Sequence, residues 1–194
     1  MIAARGLGRS FGAKRVLRDL DLDVAERDLL LVTGPNGSGK STLLALCAGL
    51  LAPTRGELEV RVERSRIGYL AHEPLVYREL SALENLDLYG RLYRVPERRE
   101  RIGMLLERYG LWEARRERVA TLSRGMQQRL ALCRTLLHEP ELLLLDEPYA
   151  GLDEEGAGLL DGELGALAGT RTVLLATHDA ERVAPLASGR LALA

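Results

Sequence analysis

The feature that most constrains this chain is the octapeptide Gly34-Pro35-Asn36-Gly37-Ser38-Gly39-Lys40-Ser41, set between the apolar run Leu29–Thr33 and an apolar stretch from Thr42 to Ala48. It fits G-x-x-x-x-G-K-[ST], a pattern that has meaning only where a strand runs into it and a helix runs out. The glycines let the backbone curl until successive N–H groups point inward around an anion. The helix N-terminus adds a positive partial charge at the same place. In such a loop the lysine reaches the β- and γ-phosphates of a nucleoside triphosphate, and the serine hydroxyl ligates Mg²⁺. Of the 27 basic residues only Lys14 and Lys40 are lysine. A composition that favours arginine so strongly still places a compact ammonium here, where a point charge must fit a narrow loop.

Two more apolar runs, Leu142–Leu145 and Thr172–Ala176, read as buried strands. Short runs of this kind alternating with helical patterns predict an α/β fold with a mainly parallel sheet flanked by helices. The three runs end in polar residues, at Gly34, at Asp146 and at Thr177-His178. Ligands of open parallel sheets sit beyond the carboxyl ends of the strands, so the three endings are expected to meet at one site. The adjacent carboxylates there suit two jobs, because side-chain alternation sends them in different directions. Asp146 would hold Mg²⁺, and Glu147 would orient or deprotonate an attacking water. His178, at the same sheet edge, could donate a hydrogen bond to the γ-phosphate.

The first 28 residues and the stretch Gly56–Leu70 alternate polar and apolar residues, which predicts an N-terminal antiparallel β region with one wet face. Between about Leu75 and Leu122 the pattern is helical and charge-rich, with a capping box at Ser81-Ala82-Leu83-Glu84. No repeat or low-complexity linker interrupts the chain. A single domain over 1–194 is expected, with a core of about 1–74 and 126–194 and a helical subdomain of about 75–125. The arginines at 91, 94, 98, 99 and 101 read as a solvated helical face.

Composition excludes several function classes. With 46% hydrophobic and 28% charged residues the chain is globular in balance, and a net charge of −1 with 4% aromatics argues against a nucleic-acid partner. Cys47 and Cys133 fall inside apolar helical patterns, without metal-ligand spacing, and read as buried thiols in a reducing compartment. The longest apolar run, Leu43–Ala52, is about half of the roughly 20 residues that cross a bilayer, and no signal peptide is visible. A cytoplasmic protein is expected.

With these residues in place, the chain resembles the ATP-binding-cassette family over nearly its whole length. The most specific piece is Leu122-Ser123-Arg124-Gly125-Met126-Gln127-Gln128-Arg129, similar to the family signature L-S-G-G-Q and standing just before the Asp146 strand. Physically it is a serine N-cap opening a helix whose apolar stripe is Met126, Leu130, Cys133 and Leu137. The resemblance implies that Ser123, Arg124, Gly125 and Met126 meet the γ-phosphate of ATP held by another subunit, while Gly34 through Thr42 hold this chain's own ATP. It puts Phe11 at the position of an aromatic that stacks on adenine, with a core phenylalanine as the alternative. Ala150-Gly151-Leu152-Asp153 resembles the D-loop, which implies that Asp153 lies at a dimer interface.

The match has departures. Arg124 and Met126 replace the commoner glycine and glutamine of the signature. The coupling-loop glutamine is absent, since Gln127 and Gln128 are the only two in the chain; His72 aligns with it, beside Glu73. As a whole the resemblance implies ATP hydrolysis coupled to transmembrane transport, with ATP and Mg²⁺ as cofactors. It also implies a homodimer or pseudo-dimer of ATPase subunits and a separate transmembrane permease that holds the chain at the inner face of the cell membrane. Leu80-Ser81-Ala82-Leu83-Glu84-Asn85-Leu86, after a histidine-bearing loop, is similar to the haem exporter ATPase of cytochrome c maturation. A non-transport ATPase of this family and an efflux ATPase for another substrate stay open as alternatives.

Overall fold

The chain, described over residues 1–194 by a computed structural model, opens with two long strands, β1 (Ile2–Phe11) and β2 (Lys14–Val24). There follow β3 (Leu29–Thr33), α1 (Lys40–Cys47), β4 (Arg55–Val60) and β5 (Ile67–Leu70). A helical stretch carries α2 (Ala82–Leu92), α3 (Arg98–Arg108) and α4 (Arg124–Leu136). The last part alternates β6 (Leu142–Asp146), α5 (Glu154–Leu167), β7 (Thr172–Ala176), the short α6 (Ala180–Val183) and β8 (Gly189–Ala192).

Two sheets divide the strands. β2-β1-β4 is antiparallel throughout, and β5-β6-β7-β3-β8 is parallel throughout. A parallel sheet covered on both faces has no wet side, so its inner strands carry unbroken apolar runs. Alternation then sorts their side chains. Val32, Leu142, Leu144, Leu174 and Ala176 pack toward α1 and the antiparallel sheet, in a core that includes Leu43, Leu44 and Cys47. Leu29, Leu31, Leu143, Leu145, Val173 and Leu175 pack the other way, against the helical stretch, in a core that includes Leu86, Leu105 and Cys133.

Two expectations shift. Of the stretch Gly56–Leu70 only the β4 part joins the antiparallel sheet, while Ile67–Leu70 becomes the edge of the parallel one, paired with Leu142–Leu145. Ile67, Gly68 and Leu70 are buried, and a four-residue strand is too short for periodicity to reveal which sheet it joins. The helix after the glycine-rich loop starts at Lys40 rather than Thr42, with Gly39 as its N-cap in the left-handed region (φ 101°).

The capping box forms as expected. Glu84 N donates to Ser81 Oγ (3.2 Å) and Ser81 N donates to Glu84 Oε2 (2.8 Å). Asn85, fully buried, ties the chain ahead of α2 in place. Its Oδ1 accepts from Tyr77 N (2.8 Å), and its Nδ2 donates to Tyr77 O and Ser81 O (2.9 Å each). The basic face of this stretch is less solvated than its composition suggests. Arg91 and Arg98 share Asp87 at 2.8 and 2.6 Å, joining α2 to α3, and Arg101 donates to Leu136 O at the end of α4. No helix of the chain is long and apolar enough to cross a membrane.

Replacing Asn85 by Ala removes three hydrogen bonds, to Tyr77 N, Tyr77 O and Ser81 O, from a side chain that is itself fully buried. Asn85→Ala is expected to lower stability by about 2 kcal/mol, the usual size of such a loss. Chemical denaturation of the two proteins checks it.

Candidate active site

The loop between β3 and α1 is built around glycine at its first position. Gly34 sits at φ 148°, and an added methyl would strike the Leu193 carbonyl oxygen and the Ser38 hydroxyl. Only a residue without Cβ lets the chain leave β3 this close to the end of β8. Lys40 is 7% exposed, and its ammonium donates to Gly34 O (2.8 Å) and Pro35 O (3.3 Å), arching back over the loop. The charge therefore lies against the loop's carbonyl oxygens rather than out in solvent. The Ser38 hydroxyl is buried without a hydrogen-bond partner, an unused donor in the same loop.

Strand alternation decides where the first carboxylate goes. Asp146 shares a face with Leu142 and Leu144, the face that meets α1, so its side chain is carried to the start of that helix. It is 2% exposed, and its Oδ1 has no hydrogen-bond partner. Burial raises its carboxyl above the ordinary 3.8, against the Ser41 hydroxyl and the positive fields of His72 and Lys40, with Glu147 adding to the rise. An orphaned buried carboxylate oxygen beside a serine hydroxyl and facing a phosphate loop fits Mg²⁺. That ion takes hard oxygen donors, usually one or two protein groups plus phosphate oxygens and water.

Glu147 leaves the strand differently from the expected alternation. It adopts φ 49°, a left-handed conformation rare for a residue with a side chain, and its N–H donates to Ala176 O of β7 (2.8 Å). The backbone turn, rather than the pleat, separates the two carboxylates, and strain of this kind is held in place by its surroundings. The Glu147 carboxylate accepts from His178 N (3.2 Å) and from His178 Nδ1 (2.8 Å). A carboxylate can only accept, so Nδ1 carries the proton and Nε2 is left free on the exposed side of the ring.

These groups converge. A cleft of about 540 Å³ is lined by Asn36, Gly37, Gly39, Lys40, Ser41 and Thr42 of the loop, by Asp146 and Glu147, and by His178. His72 lines it as well, while Glu73 does not. Lys14 and Val16 of β2 form one wall, which sequence reasoning missed because nothing local marks a strand residue that faces a neighbouring loop. Phe11 stands at the tip of the β1–β2 hairpin, 47% exposed, with the Arg9 guanidinium 4.6 Å from its ring centroid. It is neither a core residue nor part of the cleft wall; Lys14, its cross-strand partner, is.

The Ser123 helix lies apart from this cleft. Ser123 is the N-cap of α4 and accepts from Met126 N (3.2 Å), as expected. Gly125 is required for packing, because a Cβ there would stand 2.9 Å from Gly151 O. Arg124 lies along Gly151. Gln128 is 2% exposed and donates to Pro148 O (3.1 Å), next to Glu147. The helix start and the Pro148–Gly151 turn thus touch backbone to backbone. Asp153 caps α5, accepting from Gly156 N (2.8 Å).

A family profile described as ABC transporter matches residues 17–150. The chain is 38% identical over 192 residues to the "Uncharacterized ABC transporter ATP-binding protein YxlF" of Bacillus subtilis, covering 94% of this chain and 65% of that protein. It is 39% identical to the "Daunorubicin resistance ATP-binding protein DrrA3" of Streptomyces coeruleorubidus, covering 96% of this chain and 63% of that protein. The chain thus spans a little under two thirds of the length of these relatives. Its fold is similar to the dimeric, post-hydrolysis structure of the ATP-binding cassette MJ0796 bound to ADP and Pi, with a TM-score of 0.88 and 27% identity over 100% of this chain and 94% of that one.

Burying Asp146 leaves a mark on stability. Its folded carboxyl titrates above the unfolded one, so the native state binds more protons and loses stability as pH rises through that interval. Asp146→Asn is therefore expected to raise the melting temperature at pH 7, with the gain shrinking as pH falls toward 3.8. Thermal melts across that range check it; a variant that melts lower than wild type at pH 7 contradicts it.

Proposed function

The chain belongs to the ABC transporter family of ATP-binding proteins, and from that membership we propose that it binds and hydrolyses ATP to drive a membrane permease carried on a separate chain. The observation that carries this reading is the meeting of Lys40, Asp146, Glu147 and His178 in one cleft at the carboxyl edge of the parallel sheet.

The residues divide the work by their chemistry. The loop amides and the N-terminus of α1 cradle the phosphates, and Lys40 exchanges its two loop carbonyls for phosphate oxygens. Mg²⁺ held by Ser41 and Asp146 would neutralise charge on the β- and γ-phosphates. Glu147 orients the attacking water and draws off its proton, and its seat beside β7 keeps the carboxylate fixed while it does so. His178 is held by that carboxylate through Nδ1 and presents Nε2 toward the γ-phosphate region. Phe11, exposed at the tip of the hairpin whose second strand carries Lys14 and Val16 into the cleft wall, is available to stack on adenine.

The Ser123 helix start completes a second copy's site. Its capped N-terminus is an anion site facing away from its own cleft, and a two-fold partner would bring ATP to it. Asp153, capping the helix just after Gly151, would stand at that interface. On this reading residues 75–125 act as a helical subdomain that transmits closure to the permease, and the protein sits on the inner face of the cell membrane through that contact. His72 takes the coupling-loop glutamine's place beside the carboxylates, and Glu73 remains outside.

Two cargo readings stand. Leu80–Leu86 supports haem export for cytochrome c maturation, although Ser81, Glu84 and Asn85 in it have structural duties that any cargo would require. The similarity to DrrA3 supports drug efflux equally. Co-purification of the permease and transport assays with haem and with an anthracycline decide between them.

Glu147→Gln is expected to lower MgATP hydrolysis about 10²–10⁴-fold, the usual worth of a positioned base, while ATP is retained and the protein elutes as a dimer. Turnover and gel filtration with and without MgATP check this. Hydrolysis at the wild-type rate removes Glu147 from the mechanism.

A further inference from the structure

Beside the cleft, and outside its lining, two side chains from separate segments share the carboxylate of a third. Asp161 on α5 accepts from Arg182 Nε at 3.0 Å to each oxygen and from Arg182 Nη2 at 2.7 Å. The same carboxylate accepts from the Tyr149 hydroxyl at 2.7 Å. The Arg182 guanidinium also lies 5.2 Å from the Tyr149 ring centroid. Tyr149 follows Glu147 by two residues, and Arg182 follows His178 by four.

We propose that Asp161 is a positioning residue for ATP hydrolysis, a clamp that binds the Glu147 segment and the His178 segment to one rigid helix and so sets the contact between those two side chains. The inference rests on the ATPase reading above. The two segments need such an anchor. α6 is four residues long, its N-cap Asp179 makes no side-chain cap bond, and the His178 side chain is 75% exposed. Glu147 holds a left-handed backbone that relaxes unless its neighbours oppose it. α5, by contrast, is fixed by Leu160 and Leu164, buried in the helical-side core. Asp161 stands next to Leu160, so its carboxylate is a fixed point to which both Tyr149 and Arg182 bond.

Arg182, and after it Tyr149, hold the Asp161 carboxyl below the ordinary carboxylate value, so the clamp is charged at neutral pH. An isolated surface ion pair contributes little to stability, but bidentate arginine in a network is the geometry that does hold position. What it holds is costly to lose, since a misplacement of about 1 Å at reacting groups can cost about 100-fold in rate.

The test uses the full chain and its MgATP turnover. Asp161→Ala is expected to lower kcat about 10- to 100-fold with KM for MgATP within about twofold, because the loop that grips the phosphates is untouched. In a His178→Ala background the same substitution is expected to cost less than about threefold, as it should if Asp161 acts through the Glu147–His178 contact. Tyr149→Phe, which removes one hydroxyl and keeps the ring, is expected to reduce kcat about two- to fivefold, and it carries the test if Asp161→Ala does not fold. Wild-type kcat in Asp161→Ala, or in Tyr149→Phe where only that variant folds, overturns the clamp; so does a full loss in the His178→Ala background or a KM that rises in step with the fall in kcat. A wild-type protein with no Lys40-dependent hydrolysis overturns the ATPase reading itself, and the clamp with it.

Discussion

The cleft depends on the register of three parallel strands. Val32 pairs with Ala176, and Asp146 pairs with the same Ala176 from the other side, so β3, β7 and β6 run out level with one another. One step past that row lie Thr33-Gly34, Thr177-His178 and Glu147. No side-chain interaction has to bring these groups together; backbone hydrogen bonds do it, and burial on both faces keeps the register from slipping. A shift of one residue in β6 would turn Asp146 away from α1 and replace it with Leu145.

The same row explains what could be read in advance. Apolar runs of four or five residues that end in turn or polar residues fit strands of a covered parallel sheet, which made β3, β6 and β7 legible nearly to the residue. Their polar endings then had to meet. The signature serine was legible because an N-cap is a local event, and the Ser81–Glu84 box for the same reason. Contacts between distant segments left no local trace. Lys14 and Val16 look like any strand residues, Gln128 like any helix residue, and β5 is too short for its pattern to choose between two sheets. Of the two readings of Phe11 the core one fails, because the ring is exposed at the hairpin tip with the Arg9 guanidinium over it.

The site is also where local rules are broken. Glu147 holds a backbone that side chains avoid, Asp146 keeps an unpaired oxygen out of water, and Ser38 hides an unused hydroxyl. Each departure has a cost to folding, and each vanishes from the core only a few residues away, where Leu143 and Leu145 pack without polar atoms. Such faults concentrate where a charged ligand supplies the missing partners. A well-packed sheet can carry them because its own hydrogen bonds are complete.

The two cores, one on each side of the parallel sheet, contain one thiol apiece. Cys47 lies in the layer between α1 and the antiparallel strands, where burial pushes its titration up to about 12, and Cys133 lies in α4 against the helical stretch, pushed higher still. Neither is a thiolate while its layer stays closed, so neither reacts with an alkylating reagent until that layer opens. The chain therefore carries a natural pair of independent reporters: the order in which the sulfurs become labelled records which half of the molecule breathes first.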